Sequence, residues 1–139
     1  MVYTPATNYF GPDDFTFKAR DSALADSNVA TATLVIRPIN DAPIAQAQVV
    51  LTDEDTPATI ILSGSDIENS PLTYVIVTPP AHGTLIPGGS PAPSTHYVYT
   101  PATNYNGGDS FTFKVNDGDR DSVAVTVALT VRPINDPPV

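Results

Sequence analysis

The chain has 139 residues and a formal net charge of −9, from six Lys+Arg against 15 Asp+Glu. That sign excludes nucleic-acid binding through basic patches and adhesion to an anionic membrane. No apolar run approaches the ~18 residues of a membrane span. With no cysteine, disulfide frames, thiolate zinc and cysteine nucleophiles are excluded as well.

Residues 1–10 lack the basic and apolar regions of a secretion signal and read directly as strand. Residues 3–9, YTPATNY, return unchanged at 99–105, an offset of 96. The match runs on through FGPDDFTFK at 10–18 and NGGDSFTFK at 106–114, then resumes at RPINDAP (37–43) and RPINDPP (132–138), one residue shorter. A period near 95 residues suits an immunoglobulin-sized sandwich and is too long for a solenoid. Residues 43–139 therefore hold a complete repeat, and residues 1–42 the C-terminal part of a preceding one. The joint Pro38-Ile39-Asn40-Asp41-Ala42-Pro43 is short and stiffened by proline. The parent protein is expected to be a string of such modules.

The partial copy is the weaker one. Ala19, Asn28, Ala30 and Ala32 stand where the complete copy has Val115, Val123, Val125 and Val127. Each lost branched side chain removes about 1 kcal/mol or more of burial, and two or three strands alone are marginal in water. Residues 1–36 are expected either to be poorly ordered or to pair with another surface. The candidates are a free sheet edge or, by domain swapping, the early half (44–98) of a neighbouring copy.

In the complete copy, strands are predicted at 45–52, 58–62, 72–77, 83–86 and 96–100. Next, Phe111, Phe113 and Val115 alternate with Ser110, Thr112, Lys114 and Asn116. Asn116-Asp117-Gly118-Asp119 forms a turn with glycine available for positive φ. Last, Val123, Val125, Val127, Leu129 and Val131 alternate with small or polar residues over nine positions, the period of a half-buried strand. No helical period appears. Thirteen of the 15 acids are Asp, and 15 prolines and 17 threonines agree with strands joined by turns. The class is an all-β sandwich of about seven strands.

The motifs in series are Asp53-Glu54-Asp55-Thr56, Ser65-Asp66-Ile67-Glu68, Pro80-Ala81-His82-Gly83-Thr84-Leu85, Tyr99 through Gly118, and Pro133-Ile134-Asn135-Asp136-Pro137-Pro138. Together they resemble the bacterial cadherin-like (immunoglobulin-like) tandem repeats of large surface and secreted adhesins, across 44–138 and, as a partial copy, 3–43. The resemblance implies a Greek-key sandwich, an extracellular or cell-surface setting, and a non-catalytic role as stalk or adhesive module whose partners are neighbouring repeats.

By the same resemblance, calcium sits between repeats as in animal cadherins. The matching positions are Asn40 and Asp41 in the linker, Asp66 and Glu68 in the following module, Asp117 after the sixth strand, and Asp13 and Asp14 in the preceding module. The chain departs from that pattern at Pro38, where the animal linker carries a further Asp. Calcium takes six to eight oxygens, mostly carboxylate and carbonyl, and clustered Asp on loops can supply them. The competing reading is that these acids cap turns and keep the surface soluble. Asp53/Glu54/Asp55 and Asp117/Asp119/Asp121 carry the same two readings.

His82 and His96 are too few for zinc without cysteine, and His82 reads as a turn residue. Tyr97 and Tyr99 share one strand face and read as core. The remaining alternative is a carbohydrate- or protein-binding module using the Pro/Gly-rich segment 87–95 (PGGSPAPST), since long loops often carry function.

Overall fold

The computed structural model describes residues 1–89 and 95–135. The chain divides into two compact units, Met1–Asn40 and Asp41–Val139.

The first unit is an antiparallel ribbon of β1 (Gly11–Phe17) and β2 (Ala30–Ile36), in register from Gly11↔Ile36 to Phe17↔Ala30. Inward positions alternate with exposed ones along both strands, but none of residues 1–40 is buried. The ribbon is formed, yet it has no core of its own.

The second unit contains β3 (Ile44–Ala45), β4 (Gln48–Asp53), β5 (Ala58–Ile61), β6 (Gly64–Ser65), β7 (Thr73–Thr78), β8 (Gly83–Pro87), β9 (His96–Pro101), β10 (Gly107–Asn116) and β11 (Val125–Arg132). One sheet has the order β4-β11-β10-β7 and the other β5-β9-β8, with β3 pairing β6. Ile60, Leu62, Tyr97 and Tyr99 from one side meet Phe111, Phe113, Val115, Val127, Leu129 and Val131 from the other in a single buried cluster. The all-β sandwich expected from the period-two pattern is the fold observed, and Tyr97 and Tyr99 are core residues.

Two local expectations change. The strand expected at 45–52 is broken: β3 pairs with β6, and β4 joins the other sheet beside β11. Alternation reports burial but not which sheet a strand joins. Val123, expected on the inward face with Val125, is 84% exposed. The cause is Ser122. Its N–H donates to the Val115 carbonyl at 2.7 Å and its hydroxyl accepts the Val115 N–H at 2.9 Å. With that hydroxyl also donating to the Val123 carbonyl at 2.9 Å, the chain turns there and enters β11 only at Val125. The first unit repeats the device with Ser27 and Ala19, at 2.8 and 3.0 Å.

The two copies share finer detail too. Asn8 and Asn104 both take left-handed backbone, with φ of 58° and 56°. Tyr9 and Tyr105 both donate their hydroxyls to a carbonyl three residues on. Gly118 has φ of 103°, as its turn requires. Gly83 answers a different need: a Cβ there would stand 2.5 Å from the Tyr99 ring and 2.6 Å from the Thr100 carbonyl oxygen.

Phe17 and Phe113 are the same repeat position, 47% and 0% exposed respectively. Phe113→Ala is expected to cost about 3–5 kcal/mol in the main unfolding transition. Phe17→Ala should shift that transition by no more than about 0.5 kcal/mol. Urea denaturation of the two variants checks both.

Candidate functional site

The N-terminal end of the second unit collects acids. Ser65 pairs with Ile44, and the chain then turns through 66–70 toward β7. Asp66 Oδ1 organises that turn, accepting the N–H groups of Glu68 at 3.1 Å and Ser70 at 2.8 Å. This is the local side-chain-to-backbone bonding that makes Asp a turn residue. Its other oxygen, Oδ2, is buried and receives no hydrogen bond. Such an atom carries the full cost of leaving water, about 1–3 kcal/mol or more for a charged group. Glu68 Oε2 accepts the Asp41 N–H at 3.2 Å, tying the incoming chain to the same turn.

The Asp117 turn lies at this end also. Asn116 pairs with Thr73, and the backbone of Gly64 backs onto Val115. Asp117 Oδ1 accepts the N–H groups of Asp119 at 2.8 Å and Arg120 at 2.6 Å. Asp121 is drawn to Lys114 at 2.6 Å and to Asn116 at 2.9 Å. The Lys114 ammonium and then the Asn116 amide hold its carboxyl below the usual range.

Asp13, Asp14 and Asn40 belong to the first unit. Asp13 and Asp14 are consecutive on β1 and project to opposite faces of the ribbon. Asp13 accepts the Tyr3 hydroxyl and the Asp14 N–H. Those two bonds, the hydroxyl first, lower its pKa, and the Tyr3 phenol is pushed up to about 12. Among the described residues, no three His, Cys, Asp or Glu side chains form a metal-binding group.

Two acidic positions have structural work that motif reading missed. Asp109 is the repeat equivalent of Asp13. It accepts the Ala81 and His82 N–H groups, each at 2.9 Å, the Tyr99 hydroxyl at 2.8 Å and the Ser110 N–H at 2.8 Å. It thereby fastens the turn before β8 and the core tyrosine to the start of β10. The signal was in the repeat: Tyr3/Asp13 and Tyr99/Asp109 are the same pair at the same offset. Beside this hub, His82 stacks on Tyr105 at 4.3 Å, and it lies in the bend before β8 that Asp109 fastens.

The second position is Glu54, 6% exposed. Its Oε1 accepts the Ile134 N–H, and its Oε2 accepts the Asn106 amide at 3.2 Å. Asp53 pairs with Arg132 at 2.8 Å, and Asp55 accepts the Asn104 N–H at 3.0 Å. Asp53 and Glu54 hold the outgoing chain, while Glu54 and Asp55 hold the turn between β9 and β10. Of the loop 87–95, residues 90–94 lie outside the described residues.

The bacterial Ig domain family model matches residues 40–130. Two curated relatives come from Dictyostelium discoideum. Integrin beta-like protein A is 32% identical over 90% of this chain, and integrin beta-like protein E is 31% identical over 72%. The chain spans only 8% and 5% of their lengths. In structure it resembles human mucin-like protocadherin EC1-2, with TM-score 0.62 and 15% identity, over 95% of this chain and 73% of that one.

Burial pushes the Asp109 pKa up, but the Ala81 N–H, the Tyr99 hydroxyl, and the Ser110 and His82 N–H groups outweigh it, leaving a value below the usual one. The stabilisation is therefore complete above the unfolded value of about 4 and is lost as pH falls through the lower folded value. Burial, then Asp109, raises the Tyr99 pKa. Above pH ~10 the unfolded chain releases that proton and the folded chain keeps it, so stability falls again. Asp109→Asn is expected to cost about 1–3 kcal/mol at pH 7 and to flatten the acid limb. Urea titrations from pH 2 to 7 measure both effects.

Proposed function

Because the chain belongs to the bacterial Ig domain family, we propose that it is a non-catalytic spacer module of a repetitive extracellular protein, lengthening and stiffening an adhesive stalk. One observation carries this reading. The first long strand of the complete unit, β4, runs parallel to the last, β11, from Gln48↔Val127 to Asp53↔Arg132. Parallel terminal strands bring the chain in at one end of the sandwich and take it out at the other. Each repeat then adds its full long dimension to a linear string. An antiparallel pair would return the chain to its starting end and add little.

Both ends are fastened. Glu68 holds the Asp41 backbone at the incoming end. Glu54, with Asp53 and Arg132, holds the outgoing segment up to Ile134. The proline-bearing joint between copies adds stiffness. The cadherin-like fold and the adhesion-type names of the relatives support an extracellular, surface-exposed setting.

The proposal includes calcium at the incoming end, with Asp66 Oδ2 as its central ligand. The fit rests on that buried, unpaired carboxylate oxygen beside Glu68 and the Asp41 backbone. Calcium supplies a hard divalent charge that prefers oxygen ligands and stabilises whichever arrangement binds it, by mass action. Glu68, whose Oε2 meets the Asp41 N–H beside the Asp66 turn, is the further carboxylate the proposal enlists, with Asp41 and Asp117 having to swing in to join it. Asp13 fits less well, since it holds Tyr3 as Asp109 holds Tyr99.

Asp66→Asn keeps the Oδ1 acceptor of the turn and removes the charge. The wild-type midpoint of thermal unfolding is expected to rise by several degrees in calcium over chelator, and the Asp66→Asn midpoint to stay put. Equal midpoints in the wild type would return Asp66 to a turn role. Independently, small-angle scattering of one, two and three repeats joined through residues 37–43 should show a maximum dimension rising linearly with repeat number. A dimension that levels off would overturn the spacer reading.

A further inference from the structure

We propose that β7 is a docking edge for a second copy of the chain, which adds its own β7 antiparallel about a two-fold axis through Val75. β7 ends the sheet β4-β11-β10-β7 and pairs with β10. Among the described residues, no hydrogen bond reaches its other side. A row of open N–H and C=O groups is completed by another extended strand.

The composition of β7 suits a strand with neighbours on both sides. Residues 72–78, LTYVIVT, hold no charge, glycine or proline. Tyr74 and Ile76 face inward and are only partly buried against the core, while Val75 and Val77 are 43% and 48% exposed on the outer face. A strand apolar on both faces is the pattern of a sheet interior, yet β7 stands at the margin. The other margins are managed. Gln48 of β4 donates to the Ile61 carbonyl and Thr52 to the Thr56 carbonyl, each at 2.8 Å, which closes β4 against the chain of β5. β8 is short and ends at Pro87, a residue that blunts an edge.

Charge and register identify the occupant. At −9, copies repel unless they meet where no acid stands. β7 is such a place. Its outer-face neighbour on β10 is Lys114, opposite Val75, and Asp121 already neutralises Lys114 at 2.6 Å. A two-fold at Val75 sets Val75 against its twin and Tyr74 against Ile76, the β-branched and aromatic pairs that stabilise a sheet. Residues 73–76 pair regularly with 113–116, and the irregularity in that ladder falls beyond them, between Ile76 and Thr78. One such strand pair is a small interface and therefore weak. In a string of repeats β7 recurs once per module, and a two-fold runs two strings in opposite directions, so the pairs add along them. That last step rests on the spacer reading; the pairing itself does not.

Sedimentation equilibrium of the full chain between about 10 µM and about 1 mM provides the test. The mass is expected to climb from monomer toward dimer across that range, with amide exchange at 73–77 slowed at least about fivefold at the high end. Val75→Glu sets like charges face to face and should weaken the dimer at least about tenfold. Its thermal midpoint should stay near that of the wild type, since the new carboxylate lies on the outer face beside Lys114. Val49→Glu, on the outer face of β4, should leave dimerisation unchanged. A chain that stays monomeric at the highest concentration overturns the proposal. So does a dimer indifferent to Val75→Glu, or protection that appears at 84–86 instead. The spacer reading stands or falls separately, on the scattering of joined repeats.

Discussion

Two antiparallel strands can satisfy each other's backbone but cannot bury a face. The molecule follows from that constraint. In the complete unit, β10 and β11 acquire β7 and β4 as flanks, and the second sheet as a lid over Phe111, Phe113, Val127 and Leu129. In the first unit, the same ribbon forms with the same turns, the same serine bonds and the same tyrosine–aspartate pair, and no residue in it is buried. Local sequence is sufficient for the ribbon, and non-local partners are needed for the core.

The acids divide along a similar line. Some make local bonds to backbone N–H groups, as Asp21, Asp66 Oδ1 and Asp117 do. Asp109 and Glu54 reach across the sandwich instead. Asp109 joins β10 to the turn before β8, and Glu54 joins the end of β4 to the chain leaving β11. A net charge of −9 is therefore distributed among turn caps, long-range fasteners and ion pairs, with one buried oxygen, Asp66 Oδ2, that receives no hydrogen bond.

The sandwich was legible because burial imposes a period of two on Phe111–Val115 and Val125–Val131, and because an exact internal repeat marks the unit's length. The break between β3 and β4 was not, since inward alternation is the same in either sheet. Val123 was misread because a serine hydroxyl can replace a ladder bond without changing the apolar pattern. Of the acidic positions, Asp66, Glu68 and Asp41 were singled out, and they do lie together. Asp109 went unremarked, and Glu54 was read with Asp53 and Asp55 only as a turn residue or calcium ligand, because a carboxylate that bonds backbone N–H groups far along the chain has no spacing signature. Only the repetition of Tyr and Asp ten residues apart in both copies hinted at one of them.

The side-by-side arrangement of β4 and β11 has a consequence for force. Tension on a string of these units enters near Gln48 and leaves near Arg132, at opposite ends of one six-residue parallel ladder. The rungs lie across the direction of pull, so they must slide and fail together, whereas a hairpin pulled open from its two ends gives way one rung at a time. The ladder is also the part of the unit that shields Val127, Leu129 and Val131 from the open edge of the sheet. Resistance to stretching is in this way coupled to the core itself, and the ion pair of Asp53 with Arg132 sits at the rung where the outgoing load is first felt.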